Sequence, residues 1–239
     1  MLTAPFTKEP LTILLVKYYQ LTHLKRGIVL IFDKSKGYIF FVRHGQTDWN
    51  LKRLMQGRDD IPLNEVGLNQ ARWVAESLKA ACNSFGISFS QGYASPLSRA
   101  SVTGREIATA VGCGFSEDVN LIERDFGEMS GKPYDFSSPA ILHDVPSIKG
   151  LEPTKDVISR IDSFIRKNAK IGENIIGVPH GSVTRVFAES AKKSDSVDNF
   201  DQVLSNCHMV VYSWDGESIL MEGYNISPEK LSLFNLGAK

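Results

Sequence analysis

The sequence predicts an α/β fold: a three-layer sandwich with a mostly parallel central sheet flanked by helices. Three observations predict it. Short apolar runs rich in β-branched and aromatic residues alternate along the chain with helical stretches. Each run is bounded by glycine, proline or a turn signal. The hydrophobic fraction of 42% in 239 residues is ample for a buried core.

Gly37-Tyr-Ile-Phe-Phe-Val42 reads as a buried strand. Leu63 to Ala81 reads as a helix capped by Asn64, with Leu68, Ala71, Ala75 and Leu78 on one face. Gly92-Tyr-Ala-Ser95 is a short strand, and Pro96 suits the first turn of a helix running toward Gly112. Gly127 to Leu151 is rich in Pro, Ser and Gly and is expected to be a long loop, a lid or part of a site. Thr154 is expected to cap a helix presenting Val157, Ile161, Phe164 and Ile165. Asn174 to Val178 is the next strand, followed by a helix from about Ser182 to Ser190. Cys207 to Trp214 and Ser218 to Tyr224 read as a hairpin turning at Asp215-Gly216. That hairpin is a candidate sheet edge that pairs between chains.

Lysine plus arginine equals aspartate plus glutamate at 27 each, so the formal charge is zero. A neutral balance argues against a nucleic-acid binder working by phosphate neutralisation. Cys82, Cys113 and Cys207 are far apart and form no CxxC pair, which fits neither a zinc site nor a disulfide framework. A reducing, cytoplasmic location is the simplest reading. No apolar run is long enough to span a bilayer; the nearest, Leu11 to Val16, is cut by Lys17. Residues 1–36 carry Lys8, Lys17, Lys25 and Arg26 with few acids before Asp33. They are set apart as an N-terminal extension of uncertain role: a targeting segment, an extra packed segment or an early start. One domain is expected over residues 37–239.

Three predicted strands end alike: in Arg43-His44-Gly45, in Ser95 with Arg99 a turn later, and in Pro179-His180-Gly181. Open α/β sheets bind ligands beyond the carboxyl ends of their strands. If these strands are neighbours, two arginines and two histidines meet. Arginine presents a planar fork that matches phosphate oxygens. Histidine serves as nucleophile or proton carrier near neutral pH. Glycine after each histidine would admit a ligand close to the backbone, and the following helix N-termini would donate N–H groups to an anion. The set suggests phosphate and covalent transfer to nitrogen.

Val42-Arg-His-Gly-Gln-Thr-Asp-Trp-Asn50 resembles the signature of the histidine phosphatase superfamily, the phosphoglycerate mutase-like family. Further blocks match in order: Gln56-Gly57 with Asp60-Ile-Pro-Leu63, Gly67 to Ala71, Ser95 to Ala100 with Thr103, Leu121 to Gly127, and Val178 to Gly181. One RHG triplet is weak; ordered blocks from about Gly37 to Tyr224 are specific. The resemblance implies a phosphoglycerate mutase-like sandwich. It also implies His44 as the phosphorylated nucleophile, and Arg43, Arg99 and His180 as holders of the phosphoryl oxygens. Glu123 would be the acid for the leaving oxygen and then the base for water. Asn50, Gln56 and Gly57 would meet substrate or the phosphate edge. The implied chemistry is metal-free and cofactor-free, on a small phosphorylated substrate, with no nucleic-acid or membrane partner and no oligomeric state assigned.

The chain departs from the family's pattern in places. Glu128-Met-Ser-Gly131 replaces a Trp-Glu-Gly run, Pro179 stands for the usual Ser, and Ser182 stands where glycine is common. The Glu123–His180 segment is shorter than in phosphoglycerate mutases of the larger type, which favours a phosphatase over a mutase. Alternatives stay open. Asp125 or Glu128 can carry the acid role, Asn50 and Gln56 can be loop caps, and a phosphate-binding protein without turnover would keep the same pocket.

Overall fold

The computed structural model describes residues 33–135, 138–194, 197 and 203–231. Most of the N-terminal extension, residues 1–32, lies outside them. Asp33 to Lys36 form a turn, with the Ser35 N–H on Asp33 Oδ1, that leads into the first strand.

In chain order the elements are β1 (Gly37–Val42), α1 (Asp48–Leu51), α2 (Glu65–Phe85), β2 (Gln91–Ala94), α3 (Ser98–Val111) and β3 (Gly114–Glu117). They continue with α4 (Thr154–Asn168), β4 (Asn174–Val178), α5 (Gly181–Ser190), β5 (Lys192–Lys193), β6 (Met209–Trp214), β7 (Ile219–Ile226) and α6 (Pro228–Leu231). The strands form one sheet in the order β3-β2-β4-β1-β6-β7-β5. β1, β2, β3 and β4 run parallel, β6 is antiparallel to both β1 and β7, and β5 pairs parallel with β7. The expected three layers follow from alternation along β1. Phe40 and Val42 join Val74 and Leu78 of α2 and Ile107 of α3 on one face. Ile39 and Phe41 join Ile161 and Phe164 of α4 and Val186 and Phe187 of α5 on the other. Both faces are covered, so β1 is buried along its whole length.

Several boundaries differ from expectation for local reasons. Asn64 caps α2 as expected, accepting from the Gly67 N–H, but the helix runs on to Phe85 and ends at Gly86 in the left-handed region. α3 starts at Ser98 rather than Pro96, because Ser95 Oγ accepts from the Leu97 N–H and holds a tight turn there. Pro153, not Thr154, is the N-cap of α4. The capping oxygen comes from Asp144 Oδ1, which accepts from the Thr154 N–H at 2.7 Å and from its hydroxyl at 2.8 Å. β3 has no apolar run and was not expected; it pairs parallel with β2, and Gln91 Nε2 adds a bond to Ser116 Oγ at 3.2 Å.

The last hairpin turns at Asp215 as expected. Asp215 Oδ1 accepts from the Glu217 and Ser218 N–H groups, and Gly216 adopts φ 98°. β6 begins at Met209, because Cys207 at φ 58° breaks the strand direction. β7 is not a free edge along its length: Leu220 and Met221 pair with Lys192 and Lys193. No helix among the described residues is long and apolar enough to cross a membrane.

Candidate active site

β2, β4 and β1 are adjacent in the sheet, so the three polar strand ends meet as expected. His44, Arg99 and His180 are buried there, and Arg43 is partly buried. The His44 and His180 rings lie 5.1 Å apart, edge to face.

His44 Nδ1 donates to the Gly45 carbonyl at 2.7 Å. That bond fixes the neutral tautomer and leaves Nε2 as a lone pair. Burial, and then the Arg99 and Arg43 charges, hold the His44 pKa well below its ordinary value, so the ring is neutral at pH 7. His180 is shifted the same way, by burial first and then by Arg99 and His44. Among the described residues, Arg43 Nε, Arg99 Nε and both His180 ring nitrogens are buried with no hydrogen-bond partner. Buried polar atoms are normally paired. Four unpaired nitrogens, two of them on guanidinium groups, mark a place for an anion with several acceptor oxygens.

The surrounding residues hold this set in place. Arg99 donates Nη1 to Asp59 O and Nη2 to Gly57 O, at 2.7 and 2.8 Å. Gly57 therefore orients Arg99 through its carbonyl, at φ 51°, as well as lining the pocket. Arg43 donates Nη1 to Leu204 O at 2.5 Å. The glycines after the histidines do not make room for a ligand, contrary to expectation. A Cβ on Gly45 would sit 2.4 Å from Gly67 O, and one on Gly181 would sit 3.1 Å from Arg43 Nε. Those glycines admit the α2 backbone and the Arg43 guanidinium instead.

The helix N-termini are also already occupied. The Ser98 N–H of α3 goes to Asp60 Oδ1 at 2.7 Å. At α5, Glu123 accepts from the Val183 N–H at 3.2 Å and from the Ser182 N–H at 3.4 Å, so it caps that helix from a distant segment. Its other donor is the Arg124 N–H at 2.9 Å. Burial nevertheless raises the Glu123 pKa above its ordinary value, against those three N–H groups and Arg99. The carboxyl is thus biased toward its protonated form at the pocket wall.

Asn50 and Gln56 both line the pocket, together with Arg43, His44, Gly57 and Glu123. Asn50 also forms a capping box with Thr47, and Gln56 Oε1 accepts from the Thr47 hydroxyl at 2.9 Å. Leu54, Met55, Phe126 and Ile141 add apolar wall, and Tyr134, Ser182 and Arg185 add further polar lining.

Three further contributors had no role assigned from sequence. Arg124, fully buried, sends its guanidinium to Glu152 O, Ala140 O, His143 O, Asp144 Oδ1 and Thr154 Oγ1. It ties the expected lid to the Glu123 segment, so residues 139–144 are braced. Ser182 Oγ adds a bond to Ile141 O. Asn206 donates to His44 O at 2.9 Å. Each meets backbone carbonyls, which every residue owns, so no sequence pattern announces the pairing.

A family model described as histidine phosphatase superfamily (branch 1) matches residues 39–227. Phosphoglycerate mutase-like protein 4 of Arabidopsis thaliana is 33% identical over 202 residues, covering 77% of this chain and 83% of that protein. A 2,3-bisphosphoglycerate-dependent phosphoglycerate mutase of Brucella ovis is 42% identical over 197 residues, covering 75% of this chain and 93% of that one. Among solved structures, a mycobacterial glucosyl-3-phosphoglycerate phosphatase shares the fold at a TM-score of 0.64 with 24% identity, covering 80% of this chain and 99% of that one.

Proposed function

The chain belongs to the histidine phosphatase superfamily, and from that premise we propose that it hydrolyses small phosphomonoesters through a phosphohistidine on His44. The observation that carries the reading is the tautomer lock on His44 beside four unpaired buried nitrogens. In the first step His44 Nε2 attacks phosphorus, and the bond from phosphorus to the leaving oxygen breaks. The Glu123 carboxyl gives its proton to that oxygen. The ring then carries phosphate on Nε2 and a proton on Nδ1, and Gly45 O stabilises the resulting positive charge. In the second step water attacks phosphorus, its proton passes to the Glu123 carboxylate, and the P–N bond breaks. Arg43, Arg99 and His180 offset the charge on the equatorial oxygens, the main demand of phosphoryl transfer. Asn50 and Gln56 contribute donors at the rim. These groups supply the positive charge without a metal or cofactor.

Residues 37–239 are proposed as the catalytic domain, with residues 1–36 outside it. The free thiols of Cys82, Cys113 and Cys207 support a cytoplasmic setting.

The deciding measurement is phosphate release from p-nitrophenyl phosphate in excess EDTA, wild type beside His44→Ala. Turnover that vanishes in the variant supports the mechanism; equal turnover in both sinks it. A mutase reading has its own support. The Brucella relative is named a mutase and is covered over 93% of its length, so compact size alone does not favour hydrolysis. Bisphosphoglycerate-dependent interconversion of phosphoglycerates, outpacing phosphate release, would favour that reading.

A further inference from the structure

The segment before β6 folds back over Arg43 and His44. The Cys207 N–H donates to Arg43 O at 2.9 Å, and His208 O accepts from the Arg43 N–H at 3.0 Å. With the Leu204 carbonyl on the Arg43 guanidinium, this strap grips the residue before the nucleophile from three positions. Two non-glycine residues in the left-handed region shape it: Cys207 at φ 58° and Asn225 at φ 52°. Such conformations cost energy and persist where surrounding contacts impose them. Asn225 supplies such contacts from β7, its Oδ1 accepting from the Ser205 N–H and meeting His208 Nδ1.

Asn206, within this strap, points its side chain at the site. Its Nδ2 donates to His44 O at 2.9 Å and reaches Asn50 Oδ1 at 3.4 Å. Asn50 Oδ1 also accepts from the Thr47 N–H at 3.1 Å. Both lone pairs of the Asn50 oxygen therefore face donors. Flipping Asn50 would set its NH2 against two other N–H groups, and flipping Asn206 would set oxygen against the His44 carbonyl. The network thus fixes both amides, which sequence leaves free. Asn50 lines the pocket, and the end of its amide left for a ligand is the donor Nδ2.

We propose that Asn206 is a positioning residue for phosphoryl transfer: held on the His44 carbonyl, it orients the Asn50 amide so that Nδ2 meets the phosphoryl group. The proposal rests on the pocket being a phosphoryl site, and its test separates the two ideas.

The test measures inorganic phosphate affinity by calorimetry, with kcat and KM for p-nitrophenyl phosphate, in wild type, Asn206→Ala, Asn50→Ala and the double variant. Thermal melts check folding. Each single variant should weaken phosphate about tenfold, the scale of one hydrogen bond to a charged group. The double variant should be no worse than either single one, because both remove the same oriented donor. Asn206→Asp should be weaker still, since it sets a carboxylate against two oxygens. Asn206→Ala binding phosphate like wild type, or a double variant multiplying the single effects, overturns the proposal. So does a wild type that does not bind phosphate, which sinks the phosphoryl-site reading too. If Asn206→Ala does not fold, wild-type NMR decides. Added phosphate should shift the Asn50 side-chain NH2 signals while the Asn206 NH2 stays protected from exchange. Asn50 signals that ignore phosphate overturn the proposal.

Discussion

At the residue scale, His44 and Glu123 are pushed in opposite directions by the same cause. Burial favours the neutral form of each: the free base of His44 and the acid of Glu123. Those are the states that the proposed first step requires. The activity profile should therefore keep its acid limb well below the ordinary histidine value and lose activity as pH rises through the raised Glu123 value; kcat/KM against pH in the wild type checks this. Glu123→Gln should cost about 10²- to 10⁴-fold for alkyl phosphates, which need a protonated leaving group, and much less for p-nitrophenyl phosphate. An equal loss on both would assign Glu123 to capping α5 alone. Arg43, His44, Arg99 and His180 were legible in sequence because each sits in a spaced block at a strand end or helix start. The limit was the partner of each. Nothing in the RHG triplet says that its glycine packs on Gly67, or that Arg99 is held by the carbonyls of Gly57 and Asp59.

At the element scale, the strands and helices were legible wherever an apolar period marked them, and their ends were less so. Asp60 and Glu123 cap helix N-termini from far along the chain, and Asp144 caps one from ten residues upstream. A local reading finds Asn64, which caps its own helix, but has no access to an acceptor that arrives through the tertiary fold. β3 lay beyond reach for a related reason, since its four residues are mostly exposed and carry no alternation. Arg124 is the strongest case of long-range bracing. Replacing it with Ala leaves several buried carbonyls unpaired, so a loss of about 3 kcal/mol or more is expected in urea unfolding. Arg124→Lys should recover little of it, because an ammonium has three donors and no planar fork. Gly45→Ala should also destabilise strongly, since its methyl would meet the Gly67 carbonyl.

At the scale of the whole molecule, the buried imidazoles make stability depend on pH. His44 and His180 both have folded values well below the ordinary 6.5. The unfolded chain then binds more protons as pH falls, so stability is full above about pH 6.5 and declines below it. Glu123, with a raised folded value, works the other way: its contribution is present below its ordinary 4.5 and lost as pH rises through the folded value. Two histidines against one carboxyl should give a denaturation midpoint that falls from pH 7 to pH 5. The slope should flatten in the His44→Ala, His180→Ala double variant. A midpoint that rises over that range would mean that the imidazoles are not buried in neutral form.

The place of β1 at the centre of the sheet has a further consequence for how the protein is made. Tyr38 pairs with Asn174 on one side and Ser213 on the other. A ribosome emits the strand that leads to His44 early, yet both of its neighbours emerge only after most of the chain. Pairings that distant form slowly, and the intermediate carries an apolar strand with open edges. The nascent chain must therefore shelter Ile39 to Val42 for most of its synthesis, and the strand that leaves the tunnel first among the seven is among the last to be enclosed.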